Sequence, residues 1–242
     1  MNGSLMVPFN VALTGLPPIS NLVGLVKAGE KGLERGVIMF ENTDNSNRIG
    51  WDFQNGVTFL LFGRKYTEFG GKLGSHTVAC TLSTSNFIPL DTNDWIPVPG
   101  GLPIPTTSSG QWSAGYIGEQ RIRQNACNPN SYTTLRASAY WAESDVNPYN
   151  FSTFVSLENF GTKARPNDRM GIGYFYNSLS NDFRNLLSNL EPHRSMVQGG
   201  EVYYNAQITP WSHLTFNLQA VGPINAGDDT AIVPGIRYRM NF

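Results

Sequence analysis

Counting back by twos from the C-terminus, Phe242, Met240, Tyr238, Ile236, Pro234 and Ile232 form one apolar row, and Asn241, Arg239, Arg237, Gly235 and Val233 form the other. Side chains of a strand point alternately to opposite faces, so the last segment reads as a strand with one apolar face and one face bearing two cations and an amide. The same period of two recurs along the chain. It is clear over 4–14, where Leu5, Val7, Phe9, Val11 and Leu13 share a row, and again over 75–87, 111–123, 131–143, 168–179, 200–209 and 212–221. In 212–221, for example, Leu214, Phe216, Leu218 and Ala220 oppose His213, Thr215, Asn217 and Gln219. Segments 35–42 and 149–161 are weaker, the latter setting Phe151, Val155 and Leu157 against Ser152, Ser156 and Glu158, and 56–66 is apolar on both rows. With the closing segment from residue 230, this makes eleven predicted strands.

The connections alternate between long polar loops (43–55, 88–110, 144–148, 181–198 and 222–229) and mostly shorter turns, among them the Gly-rich 69–74 and Thr209-Pro210-Trp211. Loop 88–110 holds five prolines and several Gly and Ser residues and reads as irregular. Phe183, Leu186, Leu187 and Leu190, ended by Pro192, have helical spacing and predict a short helix inside a loop. Residues 15–33 open on Pro17-Pro18 and predict a turn followed by one helical piece, or else a twelfth strand.

Short turns on one rim and long loops on the other are the mark of an outer-membrane barrel, in which the apolar rows meet lipid and the polar rows a wet lumen. A soluble lipocalin-like barrel would reverse the faces. The placing of Trp112, Trp141, Trp211 and Tyr238 near strand ends favours interfacial girdles over a dry core. The fold class expected is therefore all-β, a transmembrane antiparallel β-barrel of the outer-membrane porin type, forming one domain over 1–242. An aromatic final residue is typical of bacterial outer-membrane barrels, which makes the barrel-assembly machinery an expected partner through Phe242.

Composition agrees. Charged residues are only 14% of the chain and aromatics 12%, against a usual charged fraction of roughly 25%. No apolar run approaches the roughly 18 residues of a spanning helix, and a barrel hides its hydrophobicity by alternation, so a mean hydropathy of -0.25 does not oppose it. A net charge of -1 without a basic block excludes a nucleic-acid surface. Two cysteines would allow one disulfide, but Cys80 lies in an apolar row and Cys127 in an Asn-Pro turn, which favours two unpaired thiols. His76, His193 and His213 fall on separate elements without metal-ligand spacing, and Gly171 and Gly173 lie within a strand fragment, with no helix opening at them. No catalytic residue, metal or cofactor is expected, and glycines on the polar rows make room in the lumen.

The stretch Arg165-Pro-Asn-Asp-Arg-Met-Gly-Ile-Gly-Tyr-Phe-Tyr-Asn-Ser-Leu-Ser180, then Gly200-Glu-Val-Tyr-Tyr-Asn-Ala-Gln-Ile-Thr-Pro-Trp-Ser-His-Leu-Thr-Phe-Asn-Leu-Gln219, and the end Asp228-Asp-Thr-Ala-Ile-Val-Pro-Gly-Ile-Arg237 resemble the carbohydrate-selective porin family, OprB. Gly56-Val-Thr-Phe-Leu-Leu61 with Gly74-Ser-His-Thr-Val78 is similar to the same family. The resemblance implies an outer-membrane porin, capable of forming a homotrimer, that passes sugars. Members have about sixteen strands after a signal peptide, whereas the N-terminus here, Met-Asn-Gly-Ser-Leu-Met-Val-Pro-Phe, has no basic n-region. The expectation is the C-terminal part of a longer barrel, or twelve strands with one inside 15–33. An outer-membrane barrel with a structural, adhesin or enzymatic role is the alternative function.

Passing a sugar needs groups that exchange hydrogen bonds with hydroxyls and flat apolar faces to stack on the ring. The polar rows supply Glu119, Arg121, Arg123, Arg136, Glu201, Tyr203, Asn205, Gln207, Asn217, Gln219, Arg237 and Arg239 as candidate pore-lining, sugar-contacting residues. Their mixed sign argues against a strongly ion-selective pore.

Overall fold

The computed structural model of the chain describes residues 21–42, 53–125, 128–162, 164–188 and 192–240. They form one antiparallel sheet in which each strand pairs with its sequence neighbour: β1 (Leu22–Gly29), β2 (Gly32–Glu41), β3 (Val57–Phe69), β4 (Lys72–Phe87), β5 (Ser108–Asn125), β6 (Asn128–Ala142), β7 (Tyr149–Phe160), β8 (Arg169–Leu179), β9 (Met196–Thr209), β10 (Ser212–Val221) and β11 (Ala231–Met240). Strands β1 and β11 are its two edges among the described residues. The expected strand over 4–14 lies outside the described residues. The helical piece considered within 15–33 is instead β1, a hairpin partner of β2. Its residues Leu22, Val23, Leu25 and Val26 are apolar on both rows, so it has no period of two to betray it.

The faces of the sheet are inverted relative to a soluble protein. Thr58, Thr134, Ser152, Glu158 and Ser113 are no more than 2% exposed, whereas Val78, Ile172 and Ile236 are 61%, 61% and 74% exposed. A single sheet can bury one face only by curling on itself, and the face on the inside here is the polar one. The outer face is a band of Leu135, Val155, Leu157, Ile172, Val202, Leu218 and Ile232, with aromatic residues at both ends. Trp141, Phe151 and Tyr176 make successive ring contacts at the long-loop end, with centroids 5.4 and 6.5 Å apart. Tyr204, Trp211 and Tyr238 stand exposed toward the short turns.

The rims are as unequal as the loop lengths predict. Residues 30–31, 70–71 and 210–211 turn the chain at one end, and the longer connections 88–107 and 143–148 lie at the other. Gly70 and Gly71 have φ of 55° and 72°, a left-handed pair that suits the twist of a tight hairpin. In the long loops, residues 88–107 are held by a bridge between Ile96 and Ile104 and by the Leu90 N–H donating to Asp145 O at 2.7 Å. The predicted loop helix is present as α1 (Asn181–Ser188), capped by Ser180 Oγ accepting from the Phe183 N–H.

Glycine governs how close the inner face can pack. On it Gly36 pairs with Phe62, Gly115 with Tyr140, and Gly171 and Gly199 with Tyr203 and Phe175. Each ring lies flat over its glycine: a Cβ on Gly115 would meet the Tyr140 ring at 2.1 Å, and one on Gly171 the Tyr203 ring at 2.5 Å. The rings thus hug the wall instead of standing across the lumen.

Two outcomes test this inverted arrangement. Leu218→Arg, on the outer face in mid-strand, should cost roughly 2–4 kcal/mol of folding free energy in a bilayer, measured by denaturant titration in lipid vesicles. Single cysteines at 236, 238 and 240 should react with lipid-soluble probes and those at 237 and 239 with water-soluble ones, and the reverse pattern would place the apolar rows inside.

Candidate pore-lining site

Because the strands are staggered side by side, inward residues of neighbouring strands meet in cross-strand pairs, and two polar clusters form across β5 to β10. In the first, Glu119 pairs with Arg136 in register, and Arg136 donates to Glu119 from Nε at 3.1 Å and from Nη2 at 3.5 Å. Its Nη1 donates to Glu158 Oε2 at 2.5 Å, and the Tyr203 hydroxyl donates to Glu158 Oε1. One guanidinium therefore bridges two carboxylates. In the second cluster, Asn217 Nδ2 and Gln219 Nε2 donate to Glu201 Oε1 at 3.1 and 3.4 Å. Asn205 continues the row, donating to Thr215 Oγ1 at 2.6 Å.

Glu158 is 1% exposed and ties Arg136 to Tyr203, yet it was not among the candidate residues. Its signal was its place on the polar row of β7, which the intervening Ser152 and Ser156 made look inert. The hydroxyls of the polar rows are equally inconspicuous in the sequence. Thr58 donates to Ser83 at 2.9 Å, Asn42 Nδ2 donates to Thr58 and Ser83, and Thr81 and Ser113 share a hydrogen bond of 2.5 Å. The hydroxyl oxygens of Thr134, Ser138, Ser152 and Ser156 have no protein partner among the described residues.

Toward the short turns, four residues from adjacent strands stack. Arg121 lies 3.9 Å from the centroid of Tyr132, the Tyr132 and Phe160 rings are 4.5 Å apart at 19°, and Arg169 lies 4.9 Å from the centroid of Phe160. Gln207 and His213 border the same region, a hollow of about 370 Å³. Arg237 and Arg239 lie on the inner row of β11, in register with Thr215 and His213. Arg123 is different. Ile122 is a bulge, and beyond it Arg123 pairs with Thr133 on the outward row. Strict alternation from Arg121 put Arg123 on the inner face, and the one extra residue moves it to the other side.

Turn and loop carboxylates are tuned in opposite directions. Burial alone would raise Asp168, but hydrogen bonds from Arg165 Nε at 2.7 Å, the Tyr204 hydroxyl and the Gln207 N–H at 3.0 Å outweigh it and hold its carboxyl below the ordinary value. Asp182 in α1 is raised by burial and then by the neighbouring Asp145, Asp91 and Asp94. The long-loop rim thus gathers four carboxylates from three loops.

With this geometry in hand, the family model described as "Carbohydrate-selective porin, OprB family" matches residues 26–242. The chain belongs to that family. Among solved structures, the high pH structure of Pseudomonas putida OprB is similar with a TM-score of 0.75 and 18% identity, covering 86% of this chain. The chain spans 55% of that one. No curated protein matches significantly. The likeness carries the fold, and the eleven-stranded sheet is that of an OprB porin wall.

Three measurements follow. Arg136→Gln leaves Glu119 and Glu158 without their shared cation and should shift a pore's reversal potential toward cations. For Asp168, whose folded pKa is depressed, stabilisation is present above the unfolded value of about 3.9 and is lost as pH falls through the lower folded value. Amide exchange over 161–168 should therefore quicken only below about pH 4. For Asp182, whose folded pKa is raised, the cost accrues as pH rises through the unfolded and then the folded value. Asp182→Asn should slow exchange in α1 at neutral pH and change nothing below both values.

Proposed function

We propose that this chain forms wall of an outer-membrane channel through which carbohydrates and other small polar solutes diffuse. The observation that supports it best is the composition of the inner face, where Glu119, Arg136 and Glu158 are joined across strands and much of the lining around them is hydroxyl, amide and flattened aromatic ring. A sugar presents many hydroxyls and no net charge. It exchanges hydrogen bonds with such a wall without displacing a tightly held ion, and its apolar faces can pass the rings of Tyr140, Phe175 and Tyr203. A strong field of one sign would instead select ions. Phe242 as the end read by the assembly machinery, and a homotrimeric assembly, belong to the same proposal.

Purified protein in a planar bilayer tests it. Conductance that falls reversibly as oligosaccharide is added is the expected result, and a conductance indifferent to sugar overturns it. Arg237 and Arg239 lie two apart on one face, about 7 Å along the strand. Replacing both with Gln should move ion selectivity toward cations and weaken oligosaccharide block. If selectivity moves while block stays, the pair sets only the field.

A further inference from the structure

On the outer wall near the short turns, cations are not spread evenly. The outward rows of β1 to β5 present Lys27, Arg35, Lys65, Lys72 and, past the bulge, Arg123. The outward rows of β6 to β11 present none: at the same level stand Met170, Tyr204, Ile208, Leu214 and Tyr238. Lys27 is paired with Glu34 at 3.2 Å. Among the described residues no ion pair engages Arg35, Lys65, Lys72 or Arg123. Interfacial cations that merely snorkel to water would be expected all round the wall; a cluster confined to one sector is a surface for an anion.

An apolar groove crosses β1 to β4 beside this cluster, with Leu25, Val37 and Leu61 in register. It has a volume of about 700 Å³ and is lined by Leu25, Val37, Leu61 and Val78, with Lys27 and Arg35 at its short-turn end. Its floor is open at Gly63, where a Cβ would find nothing within 4 Å, and Gly63 sits opposite Arg35 in register, with Lys65 one step nearer the turn on the same row. Leu25 and Val78, 80% and 61% exposed, leave the groove uncovered. An apolar groove bordered by cations on its short-turn side suits an acyl chain that ends in a phosphate.

We propose that this sector binds an anionic glycerophospholipid of the periplasmic leaflet, its acyl chain along Leu25, Val37, Leu61 and Val78 and its phosphate and anionic headgroup against Arg35 and Lys65. The leaflet follows from the rim, since short turns of such barrels face the periplasm. A zwitterionic lipid fits the groove equally but carries its own ammonium to the cation cluster, so headgroup charge is what the site selects. The inference rests on the membrane reading of the outer face and does not depend on what the lumen passes.

The test is native mass spectrometry of the full chain in detergent with equal amounts of phosphatidylglycerol and phosphatidylethanolamine of identical acyl chains. Bound phosphatidylglycerol should exceed phosphatidylethanolamine several-fold. Arg35→Gln with Lys65→Gln should bring the two to parity, while Arg35→Lys with Lys65→Arg keeps the preference and Arg194→Gln, on the long-loop side, leaves it unchanged. Gly63→Val, which fills the groove floor, should lower adducts of both lipids. Equal binding by the native chain, or a preference that survives the double Gln variant, overturns the proposal. Should the double Gln variant lose the gel mobility of folded protein, the charge-keeping pair and Gly63→Val still decide. Bilayer conductance of the same preparations separates the ideas: a chain that prefers the anionic lipid yet conducts nothing refutes the channel reading alone.

Discussion

Everything in this structure depends on one constraint: a single layer of strands has no dry core to bury, so each strand must satisfy two different surroundings at once. The backbone meets its own need by pairing every strand with its neighbour in sequence. Side chains meet theirs by alternation, with Leu218 outward and Gln219 8% exposed on the inner face one residue later. A one-residue slip would exchange the two faces of a whole strand, so the register is held by both environments together. The bulge at Ile122 is the exception that shows the rule, since one extra residue sends Arg123 from the inside to the outside.

Within that constraint the lumen is shaped by what is small as much as by what is polar. Placing Gly115 under Tyr140 and Gly171 under Tyr203 lets bulky rings stiffen the wall without closing it. The Tyr203 ring laid down over Gly171 also brings its hydroxyl to Glu158, which in turn holds Arg136. The missing side chain at Gly171 and the ion bridge on β6 are therefore parts of one arrangement. A guanidinium so held by two carboxylates keeps its geometry, where a lone exposed arginine would sample many rotamers.

Much of this was legible in the sequence because period two is a strong signal when both faces are chemically distinct. The strands from 75 to 87 onward, the loop helix and the unequal rims all followed from it. It failed where the two rows were alike, as in Leu22, Val23, Leu25 and Val26 of β1, and where alternation was broken, as at Ile122. The site was half legible. Row membership placed Glu119, Arg136, Glu201, Asn217 and Gln219 together on polar rows, but pairing across strands depends on register, which a single strand's pattern does not contain. Glu158, two strands from Glu119 and linked to it through Arg136, could be assigned a face but not a partner. The hydroxyls of Thr58, Ser83, Thr81 and Ser113 were visible as polar positions, and only their proximity makes them a lining.

The charges that are not paired across the lumen are divided along its axis, and this division bears on how an uncharged solute would travel. Asp91, Asp94, Asp145 and Asp182 crowd the long-loop rim closely enough to raise the Asp182 carboxyl, while Arg121 and Arg169 flank the stacked Tyr132 and Phe160 toward the short turns. A cation gains at the first rim what it loses at the second, and an anion meets the opposite sequence, so neither sign finds a favourable path throughout. A neutral polyol feels only the gradient of the field, which is weak next to the hydrogen bonds it trades with the wall. Between the two rims it meets Arg136 already bound to Glu119 and Glu158. On the channel reading proposed above, the middle of the wall is polar enough to replace water for a sugar.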